Sequence, residues 1–360
     1  MLARQPTNIQ PKRILVITLR YLGDTLLVTP LISSLKRAYP NAKIDVLLPG
    51  GNIGMLEGNP DVSQLIPIAG KPKLLDFAKL LIGLFRRYDL AISTQAGDRP
   101  ILCALLAGKF SMGFVARNAT KDNWKRRLLD KALEVDGGHS HAVLENLRFC
   151  EPLNIVPSYA LTPPRTASEN AQSIKYGKYA VLHIMPQWRY KQWHDEGWIK
   201  VAYYLNQKGC QILLTGSTQA DEQEALRALL RKMPPSTRNL AGKLSLSQLA
   251  ELIENATLFI GPDTGITHLA AATGVPTVAI FGPTDPKKWA PWPVGYAENT
   301  SPFVSRGSQC VNNVYLVQGE DERACVPCQL EGCDRNRQSH AVCLDQLSTE
   351  KVIEMISRVV

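Results

Sequence analysis

The sequence predicts an α/β protein of two domains, each built on a parallel sheet. The chain of 360 residues is long enough for two domains of ordinary size. Short runs rich in Val, Ile and Leu alternate with segments of helical periodicity, the pattern typical of repeated strand–helix–strand units. A stretch at 157–173 that is rich in proline, serine and polar residues interrupts this alternation. The interruption predicts the boundary between the domains.

Each element follows from a local pattern. Before the boundary, the predicted strands are 13–19, 43–48, 65–69, 88–94 and 110–115, and the predicted helices are 24–38, 73–86 and 98–107. After it, the predicted strands are 178–184, 210–216, 257–261 and 276–282, and the predicted helices are 195–208, 219–232, 245–254 and 264–273. A last helix is expected in LSTEKVIEMISRVV, because Ser348 or Thr349 can cap it and Val352, Ile353, Ile356 and Val359 form an apolar stripe. The expected domains are 1–156 and 178–345, with a linker at 157–177 and the last helix at 346–360.

Composition narrows the class of protein. The first twelve residues lack the apolar stretch of a signal peptide, and no run approaches the roughly 20 apolar residues of a membrane span. We therefore expect a cytoplasmic protein, in which the eight cysteines are thiols or metal ligands rather than disulfides. The formal charge of +9 indicates anionic partners in general.

Two segments of the first half have alternative interpretations. The basic stretch 117–131, with Lys125, Arg126 and Arg127, is either a solvated helix face or a patch that binds an anionic acceptor. The segment 71–87 is apolar between basic ends. It is either a helix packed on the sheet or a helix at a membrane surface.

The loops that follow strands are the expected functional loops, because ligands of open α/β sheets bind beyond the carboxyl ends of the strands. In the first such loop, 19–30, Gly23 allows a tight turn and Asp24 opens a helix. Asp24 is either a helix cap or a general base.

Two further loops suit a diphosphate. In 259–276, Asp263, Thr264 and Gly265 open a helix that contains His268, and the first amides of such a helix favour an anion. In 183–198, Arg189 and Lys191 follow a strand and can reach phosphate oxygens. Taken alone, His268 is equally a buried core histidine, and the two cations are equally an ordinary basic loop.

A stiff loop, FGPTDPKKWAPWP at 281–293, follows the last predicted strand. Its four prolines leave the backbone little entropy to lose, which suits the wall of a binding pocket. Trp289 and Trp292 either shape that wall or bury themselves between the domains.

Four cysteines near the C-terminus form a separate group. Cys325 and Cys328 are a CxxC pair, and Cys333 and Cys343 follow with irregular spacing. Four thiolates can hold a structural zinc or iron ion, and the alternative is four thiols without metal.

The motifs together resemble glycosyltransferase family 9, the ADP-heptose:lipopolysaccharide heptosyltransferases. The resemblance runs from RILVITLRYLGDTLLVTPLISSLKRAYPNAKIDVLL to LFIGPDTGITHLAAATGVPTVAIFGPTDPKKWAPW, and KDNWKRR and HAVLENLRFCEPLNI are most similar to the heptosyltransferase III-like subgroup. It implies a GT-B fold, with two facing Rossmann-like domains and a C-terminal helix that returns to the first domain. The first domain would hold the acceptor and the second the nucleotide sugar.

The resemblance also implies roles for residues. Asp24 would be the catalytic base, and Lys191, with Arg189, would stabilise the leaving diphosphate. Asp263, Thr264, Gly265 and His268 match donor-binding positions, and Glu222 would accept hydrogen bonds from the ribose. Gly23, Lys125, Arg126 and Arg127 would lie on the acceptor side.

The implied reaction moves a heptose from ADP-heptose to a hydroxyl of the lipopolysaccharide inner core, with inversion and without a catalytic metal or other cofactor. The expected partners are this donor, the core acceptor and anionic membrane at the cytoplasmic face of the inner membrane, and no nucleic acid. Two alternatives stay open: another nucleotide-sugar enzyme of the same fold, such as an epimerase, and a non-enzymatic binding protein of lipopolysaccharide assembly.

Overall fold

The computed structural model describes residues 9–117, 119–166, 176–319 and 325–360. It divides into two compact units. Unit 1 takes in the chain up to Pro164 together with Ala297–Thr300, and unit 2 comprises Arg165–Tyr296 and Ser301–Val360. Among the described residues, no helix is long and apolar enough to cross a bilayer.

Unit 1 contains a parallel sheet of six strands in the order β3-β2-β1-β4-β5-β6. The strands are β1 Arg13–Ile17, β2 Lys43–Pro49, β3 Gln64–Ile68, β4 Tyr88–Ser93, β5 Gly108–Val115 and β6 Lys131–Glu134. The helices are α1 Leu22–Leu27, α2 Thr29–Ala38, α3 Leu74–Leu84, α4 Asp98–Ala107, α5 Asn123–Leu128, α6 Ala142–Leu147 and α7 Cys150–Leu153. Strands β1, β2 and β4 are buried almost throughout, as expected for a sheet covered on both faces.

Unit 2 contains seven strands in the order β12-β13-β11-β10-β7-β8-β9. The strands are β7 Tyr179–His183, β8 Gln211–Thr215, β9 Arg238–Asn239, β10 Leu258–Pro262, β11 Thr277–Phe281, β12 Gln309–Val311 and β13 Val314–Gln318. The helices are α8 Asp195–Gln207, α9 Ala220–Leu230, α10 Leu246–Glu254, α11 Gly265–Thr273, α12 Pro286–Trp289, α13 Val342–Asp345 and α14 Thr349–Ile356. All neighbours pair in parallel except β12 and β13.

Two elements differ from expectation in their boundaries. The helix expected at 24–38 is divided into α1 and α2 at Val28. Pro30 lies in the first turn of α2, and since its nitrogen carries no hydrogen it cannot continue the hydrogen-bond ladder of α1. The predicted linker begins as part of unit 1, because the amides of Ser158 and Thr162 donate to hydroxyls of α2. Its residues 167–175 lie outside the described residues.

The last helix, α14, is capped by Ser348, whose hydroxyl accepts a hydrogen bond from the Lys351 amide. Its apolar face was expected to pack on the first domain. Instead Val352, Met355 and Ile356 belong to the core of unit 2, together with Trp193 and other buried side chains of that unit. The Trp193 indole also donates to the carbonyl of Leu347, 2.9 Å away, which fixes the start of this helix. The apolar stripe is thus satisfied within unit 2.

Candidate active site

The strand orders place a switch point in each sheet. In unit 1 the first strand, β1, is followed by β2 and β3 on one side and by β4 to β6 on the other. In unit 2 the first strand, β7, has β8 on one side and β10 on the other. Open α/β sheets bind ligands at such points, beyond the carboxyl ends of the two central strands. The loops after β1 and β4, and those after β7 and β10, are therefore the candidate loops.

At the switch point of unit 2, an ion pair joins the two loops. Lys191 ends a short 3₁₀ turn after β7, and its Nζ lies 2.6 Å from the Asp263 Oδ2 directly after β10. The side chains are 15% and 7% exposed, respectively. The ammonium also lies 5.2 Å from the ring centroid of Trp188 and 5.9 Å from that of Tyr190. A carboxylate and two aromatic faces thus fix one cation at the edge of the sheet.

Helix α11 begins at the same edge. Thr264 caps it, because its side chain accepts a hydrogen bond from the Thr267 amide, and Gly265 is its first residue. The helix ends at Gly274, whose φ of 89° requires a residue without a Cβ. The first amides of a helix have no carbonyl partner within it and carry partial positive charge. Together with Lys191, this helix start is suited to hold an anion.

His268 lies on the buried face of α11 and is 5% exposed. Burial lowers its pKa to about 4, although the charge of Asp263 acts in the opposite direction. Its Nδ1 has no hydrogen-bond partner among the residues that the structure describes. The side chain is therefore neutral at pH 7 and lies next to the ion pair of Lys191 and Asp263, with which it interacts electrostatically.

The sequence predicted two further residues that bind the nucleotide-sugar donor, and their surroundings differ. Glu222, in the first turn of α9, accepts hydrogen bonds from both the amide and the hydroxyl of Ser217 in the loop after β8. Both oxygens therefore hold that loop, and a Cβ at Gly216 would collide with one of them. Arg189 has an exposed side chain, and its amide donates to the Arg337 carbonyl.

In unit 1, Asp24 lies at the switch point as expected. It is half-buried in the first turn of α1, and its Oδ2 accepts a hydrogen bond of 3.2 Å from the Tyr21 amide. Gly23 precedes it in the same turn. The carboxylate therefore supports the start of α1 from the third helical position, by accepting from the N-cap amide. The N-cap itself is Tyr21, and not Asp24 as one interpretation of the sequence had predicted. Its position beyond the carboxyl end of β1 is equally the one that the general-base interpretation requires.

Several residues that hold these loops were not identified from the sequence. The Gln95 side chain, after β4, accepts from the Leu19 amide at 3.0 Å. The Asn52 side-chain amide donates from Nδ2 to the Arg20 carbonyl, 2.9 Å away. In unit 2, His183 at the end of β7 contacts the Thr215 hydroxyl at 3.2 Å, and burial lowers its pKa to about 4. The sequence could have indicated these residues, because each of them is a polar residue at the end of an apolar strand or in the loop that follows it.

The basic stretch 117–131 is partly buried, whereas both interpretations of the sequence, a solvated helix face and a binding patch, place its cations at the surface. Lys125 is only 3% exposed, and its ammonium lies 2.7 Å from both Asp98 and Asp122. Burial would lower the pKa of Lys125, but the hydrogen bonds and charges of the two carboxylates outweigh this and raise it. Arg126 pairs with Glu134 and donates to a main-chain carbonyl. Only Arg127 of these three is exposed.

The four C-terminal cysteines lie near one another. Burial raises the pKa of Cys343 to about 12, and Cys328, Cys325 and Cys333 add to the increase. The Cys333 sulfur also accepts a hydrogen bond from the Val342 amide at 3.5 Å. Among the described residues, however, no group of three or more His, Cys, Asp or Glu side chains is arranged to hold a metal ion.

The stiff loop after β11 contains the short helix α12, capped by Asp285 through the Lys287 amide. Trp292 is 1% exposed and donates to the Tyr296 carbonyl at 3.2 Å. Trp289 packs on a cluster of unit 2 that includes Phe281. Both indoles are thus at least partly buried within unit 2, which supports a structural role for them.

Comparisons with known proteins agree with this architecture. The model of glycosyltransferase family 9 (heptosyltransferase) matches residues 77–314. The chain is 32% identical to lipopolysaccharide heptosyltransferase 3 of Escherichia coli K12, over 89% of this chain and 100% of that protein.

Solved structures are similar over almost the whole chain. The glycosyl transferase family 9 protein of Veillonella parvula gives a TM-score of 0.76 at 20% identity, covering 97% of both chains. The E. coli ADP-heptose lps heptosyltransferase II gives 0.73 at 22% identity, covering 96% of this chain and 98% of that one. The likeness to these structures shows the GT-B fold. By the family model and by its identity to a curated relative, the chain belongs to glycosyltransferase family 9, the heptosyltransferases.

Proposed function

We propose that this glycosyltransferase moves a heptose from ADP-heptose to a hydroxyl of the lipopolysaccharide inner core. The observation that carries the proposal is the Lys191–Asp263 pair beside the start of α11, at the switch point of unit 2. This is an anion site in a chain that belongs to a heptosyltransferase family. The names of its relatives supply the donor and the acceptor class.

The proposed mechanism divides the chemistry between the two units. Asp24 takes the proton of the acceptor hydroxyl as the acceptor oxygen forms a bond to the anomeric carbon. The bond from that carbon to the ADP oxygen breaks, and its electron pair leaves with the diphosphate. Lys191 and the first amides of α11 bind the diphosphate as its negative charge increases, which stabilises the transition state more than the ground state. No step requires a metal ion.

The remaining donor residues have supporting roles in this proposal. Asp263 fixes the position of the Lys191 ammonium through the 2.6 Å contact. His268, neutral at pH 7, lies beside the pair without adding charge. Glu222 holds the loop after β8 through Ser217, and from that position we propose that it also accepts from the ribose hydroxyls. Arg189 is exposed and available as a second cation for the diphosphate.

The acceptor side is proposed for unit 1, around Gly23 and Asp24. Lys125 and Arg126 support its loops: Lys125 donates to the Ala96 carbonyl after β4, and Arg126 donates to the Ala116 carbonyl after β5. Of the cations in that stretch, Arg127 is exposed, as are Arg117 and Lys121. We place the reaction in the cytoplasm, at the inner face of the membrane that carries the lipopolysaccharide precursor.

A turnover assay tests the proposed function against its alternatives. ADP should be released from ADP-heptose only when a heptose-acceptor core oligosaccharide is present, and the oligosaccharide should gain the mass of one heptose. Complete conversion of ADP-heptose without acceptor would favour an epimerase. Donor binding without transfer to any core acceptor would favour a binding protein. A thermal-shift screen of ADP-, UDP- and GDP-sugars identifies the nucleotide, because a ligand of the native state raises the melting temperature.

A structural zinc or iron ion at the four C-terminal cysteines also remains a proposal. The CxxC spacing and the effect of three thiols on the pKa of Cys343 support it, whereas the described side chains lack a metal-site arrangement. Elemental analysis of the purified protein decides the matter. One equivalent of metal that is lost in Cys328→Ser would support the site, and protein purified without metal under metal-replete growth would refute it.

A further inference from the structure

Helix α3 has apolar side chains on two faces. Its inner face packs on the core of unit 1 through Phe77, Leu80, Leu81 and Leu84. On the other face, Leu74, Leu75, Ile82 and Phe85 are 83%, 75%, 76% and 58% exposed. A helix that covers a sheet needs one apolar face only. The second apolar face is therefore not explained by the packing of unit 1.

The exposed side chains form one surface. Leu75, Ala78 and Ile82 are spaced by three and four residues, which places them in a line along the helix. Phe85 follows directly after the last residue of α3, and Leu74 adjoins the line at its other end. We call this surface the α3 outer stripe, and it consists of Leu74, Leu75, Ala78, Ile82 and Phe85. A contiguous exposed apolar surface of this kind is typical of an interaction site.

Basic side chains surround the stripe. The basic residues of segment 71–87 are Lys71, Lys73, Lys79, Arg86 and Arg87, and Asp76 is its only acidic residue, so the net charge is +4. The guanidinium groups of Arg86 and Arg87 donate to main-chain carbonyls, at 2.8 and 2.9 Å, rather than to carboxylates. None of the three lysines takes part in an ion pair within the part of the chain that the structure describes. Within the described part of the chain, these cations thus form no ion pair with a carboxylate, and the segment keeps its net positive charge.

We propose that the α3 outer stripe docks reversibly on the surface of an anionic phospholipid bilayer. At 11 residues α3 is too short to span a membrane. An apolar stripe with flanking cations is suited to lie in the plane of the interface, with its apolar side chains among the acyl-chain ends and its cations at the lipid phosphates. The docking would bring the enzyme to its membrane acceptor, and in that sense the inference rests on the proposed function. Lipid binding itself requires no turnover.

The charge complementarity selects the lipid. Each cation held near an anionic surface contributes about fivefold in affinity at low salt, and screening removes most of this at high salt. Exposed apolar side chains contribute at any salt concentration, because their transfer from water does not depend on charge. The docking should therefore require both anionic lipid and the apolar stripe.

Vesicle sedimentation of the full chain tests the proposal. We expect binding to phosphatidylcholine vesicles that contain phosphatidylglycerol, weaker binding at high salt, and little binding to phosphatidylcholine alone. Ile82→Glu should reduce binding at least tenfold, because it places a charge in the stripe. The matched control is Val156→Glu, the same kind of change at a side chain of unit 1 that is 84% exposed and outside the stripe. It should bind like the wild type.

A second variant tests the cations without changing the stripe. Replacing Lys71, Lys73 and Lys79 by Gln should reduce binding about a hundredfold at low salt and much less at high salt. The control replaces Arg127, an exposed cation outside the segment, and should reduce binding by less than the roughly fivefold that one docking cation would contribute. Melting temperatures close to that of the wild type would show that all variants fold.

Two results would overturn the proposal: binding that is equal for both kinds of vesicle, or binding that Ile82→Glu leaves unchanged. Self-association without lipid that Ile82→Glu abolishes would instead assign the stripe to a second copy of the chain. Failure of the proposed function is distinguishable from these results. In that case sedimentation would follow the pattern above while no heptose reached any acceptor. If both proposals hold, Ile82→Glu should slow transfer to acceptor in vesicles and not to a water-soluble core oligosaccharide.

Discussion

The Lys191 ammonium lies 2.6 Å from the Asp263 carboxylate and thereby connects the loops that follow the two central strands of unit 2. The cation is thus held in place before any ligand arrives. Because the carboxylate partly compensates its charge, the diphosphate that we propose as the ligand would share the ammonium with Asp263. This arrangement favours an anion that carries more charge than a single carboxylate.

We predict that Lys191→Ala weakens ADP binding about tenfold to a hundredfold and slows heptose transfer as well. The lost charge acts on the bound diphosphate and more strongly on the departing one. Calorimetry with ADP, together with kcat and KM for transfer, checks both effects. Arg189→Ala is the comparison, because this exposed cation lies two residues away. Unchanged ADP affinity in Lys191→Ala, with a loss in Arg189→Ala, would assign the anion site to Arg189.

For Asp24, we predict that substitution by Asn lowers kcat by about 10² to 10⁴ while ADP affinity is retained. Asn keeps the shape of the side chain and an acceptor oxygen for the Tyr21 amide, so the start of α1 should persist. The control for a pure capping effect is Ser348→Ala, which removes the cap of α14 and should cost about 1 kcal/mol of stability without a loss of rate. A folded Asp24→Asn protein with wild-type turnover would exclude the general-base role.

The two buried histidines predict a dependence of stability on pH. Burial lowers the pKa values of His183 and His268 from 6.5 to about 4. Between these values the unfolded chain binds protons that the folded chain does not. Their stabilising contribution is therefore fully present above pH 6.5 and is lost as the pH falls towards 4, by at most about 3 kcal/mol for each residue.

Urea unfolding across this pH range measures the effect. His268→Gln should make the free energy of unfolding less dependent on pH, whereas His139→Gln, at an exposed position, should leave the wild-type slope. A wild-type free energy of unfolding that is constant between pH 6.5 and 4 would contradict the prediction.

We predict that Lys125→Met destabilises unit 1 by about 3 to 5 kcal/mol, because it leaves the buried carboxylate of Asp122 without its cation. Arg127→Ala, an exposed change two residues later, should alter stability by less than about 0.5 kcal/mol. Thermal unfolding of the two variants checks the difference. Equal stability of both would mean that Lys125 behaves as a solvated charge.

Much of the fold could be predicted because the central strands are buried on both faces. Their sequences are therefore continuous apolar runs, such as ILVI in β1. The strands that were not predicted lie near the sheet edges. β6 reads KALE and is only half-buried, and β9 has two residues, so neither has a hydrophobic pattern. The β12–β13 hairpin had a signal in its Asn312-Asn313 turn, where Asn312 has a φ of 48°.

The candidate site was predictable for those residues whose place in the fold follows from their position along the chain. Asp263 directly follows β10, Asp24 and Lys191 come shortly after β1 and β7, and the parallel order places all three at the switch points. The burial of Lys125 was not predictable, since its second carboxylate, Asp98, comes 27 residues earlier and meets it only in the folded unit. A charge run in sequence does not reveal which of its members lies inside.

The packing of α14 within unit 2 has a consequence for folding during synthesis. The sheet of unit 1 is complete once β6 has emerged from the ribosome, so this unit can begin to fold while most of unit 2 is still being translated. For unit 2, the order of synthesis has the opposite effect. Its core includes Val352, Met355 and Ile356 of α14, which are translated after all the strands of its sheet. Unit 2 therefore completes its core only once α14 has emerged from the ribosome, and a nascent chain stalled before that point would present the core open to chaperones.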